Sequence, residues 1–134
     1  MAVAHHRQMY LDAPADPIMR AMRADLEPLY LAAGVDLVLA AHAHTYARTC
    51  AVRRGQCEKT GPVYIVDGTA GAYTGSGNQG ISCEQPRPPF ANPLHRAQDC
   101  MWGWSTLAVN ATTLQWVHKR WDSGDVSDSI TLTK

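Results

Sequence analysis

The chain has 134 residues, with 12 basic and 12 acidic side chains and a formal net charge of zero. Hydrophobic residues make up 46% and charged ones 18%, a globular composition that fits one domain at most and excludes disordered, collagenous or coiled-coil classes. The balanced charge argues against a general nucleic-acid or anionic-membrane binder. The longest apolar run, residues 35–41, is interrupted by Asp36 and falls far short of the roughly 20 residues a membrane helix needs.

In chain order, residues 3–6 read as the end of a buried strand reached with no polar approach, so the chain is expected to be a piece of something longer. Residues 12–16 form a Pro/Ala turn. Asp16 followed by Pro17 is a helix start, an N-cap acid before a proline at the first helical position. Ile18, Met19, Met22, Leu26, Leu29 and Tyr30 then recur near helical spacing; Pro28 should bend or interrupt the helix, and Gly34 should end it. Residues 35–41 read as a strand buried on both faces, as in a parallel or mixed sheet.

Residues 42–49 are polar and leave the carboxyl end of that strand. Gly61-Pro62 is a turn, 63–66 a second buried strand, 68–80 a Gly-rich loop and 82–98 an irregular Pro-rich stretch. Residues 104–110, 114–121 and 126–132 alternate apolar and polar side chains and read as three antiparallel strands, with turns at 110–112 and 122–125. The fold class is α/β: a mixed sheet with a crossover helix, followed by C-terminal antiparallel strands.

Cys50, Cys57, Cys83 and Cys100 lie in the loop-rich middle and lack the CxxC spacing of structural zinc sites. An even count in loops suits disulfides, with three connectivities open. In one of these Cys50–Cys57 closes a local loop and Cys83–Cys100 staples the Pro-rich segment. Asn110-Ala111-Thr112 is a glycosylation acceptor triplet. Together these features favour a secreted or lumenal compartment, lysosome- or vacuole-like.

The chemistry concentrates at Ala41-His42-Ala43-His44. Two histidines two apart, just past a buried strand, can turn into one crevice, and ligand sites in α/β sheets lie outside the carboxyl ends of strands. Imidazole suits zinc, iron, copper and nickel. His5-His6 ends the earlier strand, and a right-handed crossover makes the two strands parallel, so His6 is expected to face His42 and His44 across a common site. Alternation lets only one of His5 and His6 point inward.

His95 and His118 read as structural or exposed, with His118 solvated beside Lys119 and Arg120. Gly68-Thr69-Ala70-Gly71 opens a loop without the Walker lysine or a spaced GxGxxG, so it reads as a permissive turn passing close under the site rather than a phosphate cradle. Asp67 either supports a ligand histidine or caps a turn. No Ser-His-Asp or Cys-His nucleophile set is legible.

These residues resemble a family. Val3-Ala4-His5-His6 resembles a Val-x-x-His motif, and Ala41-His42-Ala43-His44-Thr45-Tyr46-Ala47-Arg48 a Gly-His-x-His-x-Tyr-Glu-Arg motif. They are the last two of five metal-binding motifs in purple acid phosphatases, within the calcineurin-like metallophosphoesterases. Residues 61–71, Gly103-Trp104-Ser105, residues 107–112 and Val126-Ser127-Asp128-Ser129 are similar to the family's later strands, so the resemblance runs along residues 1–134 in order.

It implies a partial metallophosphoesterase sandwich whose N-terminal half is the missing partner. It also implies hydrolysis of phosphate monoesters at acid pH over a dinuclear centre of Fe with Fe, Zn or Mn. His6 and His42 resemble ligands of the divalent metal, and His44 a ligand of the other, usually ferric, ion. The first three motifs are absent, Ala41 stands for Gly and Ala47 for Glu, and the catalytic His many members carry near residues 10–18 is missing. The chain alone is therefore expected to hold at most one metal ion and to be inactive, with exposed apolar edges and faces. A non-catalytic metal-binding or interaction module, and a phosphodiesterase of the same superfamily, are the rival readings.

Overall fold

The computed structural model describes residues 1–11, 16–71 and 92–134, and among these residues there are two sheets and one helix. In chain order they are β1 (Ala2–Ala4), α1 (Pro17–Ala32), β2 (Leu37–Ala40), β3 (Tyr46–Arg53), β4 (Gln56–Cys57), β5 (Val63–Asp67), β6 (His95–Asp99), β7 (Gly103–Val109), β8 (Thr113–Arg120) and β9 (Val126–Thr133). The larger sheet has the order β1-β2-β5-β3-β4, with β6 also paired to β3. Its β1, β2 and β5 are parallel, and β3 runs antiparallel to β5, β6 and β4. The smaller sheet is the antiparallel meander β7-β8-β9.

The helix starts where Asp16 and Pro17 place it. The Asp16 carboxylate accepts from the Ile18 and Met19 amides at 2.8 and 2.9 Å, a cap whose loss costs about 1 kcal/mol. Of the two outcomes expected at Pro28, a bend or an interruption, the interruption does not occur: the helix continues to Ala32. Tertiary bonds at its neighbour hold that turn. Buried Glu27 accepts from the Tyr10 hydroxyl at 3.0 Å and the Arg54 amide at 2.7 Å, while Pro28 itself faces solvent. Gly34, at φ 63°, follows the cap residue Ala33 and ends the helix as expected.

Period-two alternation along β5 feeds two cores. Tyr64 packs under the helix with Met9, Tyr10, Val35, Val38 and Val52, whereas Val63 and Ile65 meet Leu37, Tyr46, Leu114 and Trp116 between the sheets. The expectation that β2 and β5 are covered on both faces therefore holds. β1 is more exposed than its sequence suggests, because it forms the sheet's edge.

Three strands were hidden in segments that read as loop, the two-residue β4 and the longer β3 and β6. β3 begins at Tyr46, and its inward Thr49 is satisfied by the Tyr64 amide, which donates to Oγ1 at 3.0 Å. β6 buries His95, Gln98 and Asp99 rather than apolar residues: Gln98 Nε2 and His95 Nδ1 bond at 2.8 Å, and Arg120 Nε donates to Asp99 at 2.6 Å. The three C-terminal strands and both turns lie where expected. At the first turn the Asn110 side-chain oxygen accepts from the Thr112 and Thr113 amides.

Cys50 and Cys57 are disulfide-bonded across the β3–β4 hairpin, with Cα atoms 5.7 Å apart. Cys100 is also disulfide-bonded, and Cys83 lies outside the described residues, as do residues 12–15 of the expected turn and 72–80 of the Gly-rich loop. Trp102, Trp104, Val109, Trp121 and Val126 stand exposed on or beside the smaller sheet. Among the described residues no helix is long and apolar enough to cross a membrane.

Candidate metal centre

The parallel pairing of β1 and β2 brings both carboxyl ends to one side of the sheet. The chain leaves β1 through His5 and His6, held by a bond from the His5 amide to the Leu39 carbonyl (3.1 Å) and one from the Ala41 amide to the His6 carbonyl (3.0 Å). Alternation then separates the two rings. His5 lies along Tyr30 of the helix, with ring centroids 6.2 Å apart. His6 turns the other way and meets His42, Nε2 to Nδ1, at 3.1 Å with the rings at 78°.

The loop after β2 is tightly wound. His42 has φ 58°, a left-handed conformation rare outside glycine. The Ala43 amide donates to the Ala41 carbonyl at 2.6 Å, and the Thr45 amide to the Ala43 carbonyl at 2.8 Å. Gly68 passes directly beneath. A Cβ there would lie 2.0 Å from the Ala43 carbonyl oxygen and 3.2 Å from the His44 Cα, so only glycine fits. The Gly68 amide in turn donates to the Thr45 carbonyl at 3.1 Å. The described start of the Gly-rich loop is thus a close-packed turn under the histidine loop.

Burial and the neighbouring Arg7, His6 and His44, outweighing Asp16, hold the His42 ring below the usual histidine range. The neutral imidazole this favours is the form that binds metals. Two ligands on one tetrahedral zinc sit about 3.3 Å apart, given Zn–N bonds of about 2.0–2.1 Å, so the 3.1 Å between His6 and His42 fits two neighbouring ligands of one ion. His44 lies near enough to act on His42 electrostatically. Among the described residues no group of three or more His, Cys, Asp or Glu is gathered to hold a metal ion. What the described residues bring together is the His6–His42 pair of ring nitrogens.

A family model described as "Iron/zinc purple acid phosphatase-like protein C" matches residues 61–129, about half of the chain. The chain belongs to the purple acid phosphatase family. It is 32% identical to purple acid phosphatase 18 of Arabidopsis thaliana over 81% of its length and 23% of the relative's. It is 37% identical to probable purple acid phosphatase 20 of the same plant, over 84% and 25%. It thus spans about a quarter of the length of the curated relatives it matches. The purple acid phosphatase from yellow lupin (Lupinus luteus) seeds shares its fold, with a TM-score of 0.71 at 21% identity over 98% of this chain and 24% of that one.

The tyrosine and arginine of the purple acid phosphatase motif join the sheets. Tyr46 donates to Asp128 Oδ2 at 2.6 Å, and Arg48 makes a bidentate pair with the same carboxylate at 2.6 and 2.8 Å. Burial, then Asp128, pushes the Tyr46 hydroxyl up, so it stays a neutral donor. Ala47 is buried against Leu11, Met19, Ala43 and Val66.

His118 corrects the expectation of a solvated side chain. It is fully buried, stacked on Tyr46 with centroids 3.9 Å apart at 10°, and its Nδ1 lies 2.8 Å from Ser105 Oγ. Asp67 accepts from Ser105 and, at 2.9 Å, from Thr69, so it supports this cluster and the turn rather than a ligand ring. Asp128 and Ser105 were not singled out by the sequence reading. The signal for His118 was available: Leu114, Trp116 and His118 are successive inward positions of one strand.

Proposed function

We propose that this chain is the C-terminal segment of the catalytic domain of a longer purple acid phosphatase that hydrolyses phosphate monoesters. The observation that carries the reading is the meeting of His6 and His42 at the carboxyl ends of two parallel strands, with His44 two residues on. These residues would hold metal, His6 and His42 on one ion and His44 on its neighbour. Metals held there supply Lewis acidity toward a phosphoryl oxygen and an activated water. The chain's own part is to fix ring positions, to keep His42 neutral and to brace its loop with Gly68.

The remaining ligands of an Fe–Fe, Fe–Zn or Fe–Mn pair have no counterpart in the motifs present. The isolated chain therefore binds at most one ion and does not turn over. An exposed Asn110 turn and a disulfide suit a secreted or lumenal, glycosylated protein. Ala47, buried where the family's motif carries Glu, favours the second reading, a metal-binding module without hydrolysis.

Zn²⁺ titration by calorimetry tests the site. The 134-residue chain should bind one ion, and His42→Asn, which keeps a residue tolerant of left-handed backbone, should abolish binding. Unchanged binding by the variant would sink the metal reading. An antibody to this segment should detect a protein several times larger than 14.6 kDa in the source tissue, with phosphomonoesterase activity. A large band without activity would favour the second reading.

A further inference from the structure

We propose that Asp67, Ser105 and His118 form a positioning network that holds the histidine loop, residues 42–45, in its strained shape. The inference rests on the metal reading above only for what the loop carries. The three side chains are not a hydrolytic triad. The His118 ring is fully buried under Tyr46, and the Ser105 hydroxyl is committed to Asp67.

The bonds form a directed chain. Ser105 donates to Asp67 Oδ2 at 2.5 Å, so its oxygen is left to accept from the Nδ1–H of His118 at 2.8 Å. Asp67 Oδ1 accepts from the Thr69 hydroxyl at 2.9 Å, and Thr69 is fully buried. Asp67 and Thr69 flank Gly68, so fixing both side chains fixes the glycine that presses on the Ala43 carbonyl and donates to Thr45.

The same network reaches the loop's other end. Tyr46, the residue after Thr45, stacks face to face on His118. The loop is therefore clamped from below through Gly68 and at its exit through Tyr46. Both clamps trace to the ring on β8 and the hydroxyl on β7. A left-handed His42 persists only where its surroundings over-determine it, and the second sheet supplies this network together with Asp128, which accepts from Tyr46, and the Gly103 amide, which donates to the Thr69 carbonyl.

The test compares Ser105→Ala with Leu132→Ala, which loosens the same inter-sheet core at the opposite end of the strands, and with Ser105→Thr, which restores a hydroxyl. Amide hydrogen exchange of the metal-free chain reads the loop directly. In Ser105→Ala the Ala43, Thr45 and Gly68 amides should exchange at least about tenfold faster, while Leu132→Ala leaves them at the wild-type rate relative to the rest of the sheet.

Zn²⁺ affinity should fall by about tenfold or more in Ser105→Ala, return in Ser105→Thr and stay unchanged in Leu132→Ala. Wild-type protection of the loop in Ser105→Ala, or equal loss in Leu132→Ala, overturns the network. If wild type takes up no Zn²⁺, or His42→Asn binds as well as wild type, the metal reading fails. The exchange comparison still decides the network in that case.

Discussion

Two carboxylates sit at opposite ends of the large sheet, Glu27 buried and Asp67 half-buried, and their partners differ. Glu27 sits on the helix side with 6% of its surface exposed and takes two neutral donors, the Tyr10 hydroxyl and the Arg54 amide. Arg54 has φ 52° and Gly55 φ 75°, a tight hairpin turn anchored by that carboxylate and by the Cys50–Cys57 disulfide. Asp67 lies between the sheets, with Ser105, Thr69 and the His118 ring around it and Gly68 next in the chain. Glu27 joins a helix to a hairpin. Asp67 joins one sheet to a loop bearing two histidines. What each charge does is read from the backbone one residue away.

Glu27→Leu should have the largest effect on stability and none on the site. It leaves the Tyr10 hydroxyl and the Arg54 amide without an acceptor, at about 1–3 kcal/mol each. Urea denaturation should therefore show a loss of about 2–6 kcal/mol, with Zn²⁺ affinity of the folded chain unchanged. A parallel fall in affinity would erase the contrast between the two ends.

Gly68→Ala should invert that pattern. The new methyl lies 2.0 Å from a backbone oxygen, so the histidine loop has to move. Overpacking of this kind costs about 1–3 kcal/mol. The Zn²⁺ affinity should fall by more than about tenfold, because the shifted atom is the Ala43 carbonyl between the two histidines. Full affinity in the variant would mean that the turn under the loop is not its support.

The same contrast explains what the sequence made legible. Asp16-Pro17, the parallel strands around the helix and the histidines past the strand ends follow local rules, and each lies where those rules put it. β6 escaped because its inward residues are polar, and β3 because its partners β5 and β6 are distant in the chain. Thr45, for instance, donates to the Asp99 carbonyl 54 residues away. His118 was misjudged on its neighbours Lys119 and Arg120, although the alternation that predicted its strand also turns it inward. The ring contact of His6 and His42 was legible from topology, whereas its bracing depends on residues 67, 105 and 118, which only the packing of two sheets brings together.

The smallest effect is on pH dependence, and it isolates Asp67 from its scaffold. Burial alone would raise the Asp67 carboxyl, but the His118 ring, Ser105 and Thr69 outweigh it and hold the group below the usual carboxylate range. A carboxyl lowered in the folded state adds stability above its unfolded value of about 3.9, and that stability is lost as pH falls through the folded value. Unfolding free energy should therefore drop on acidification below about pH 5, and Asp67→Asn should show a shallower drop over the same range. Asp36, lowered against its own burial by the N-terminal amine and Lys134, has the same sign, so the slope is reduced rather than abolished. Because the asparagine also weakens the network at every pH, the slope decides and the offset does not. Parallel curves for wild type and variant would mean that Ser105 and His118 do not favour the ionised carboxylate, and the directed chain of hydrogen bonds from His118 to Asp67 would have to be reversed.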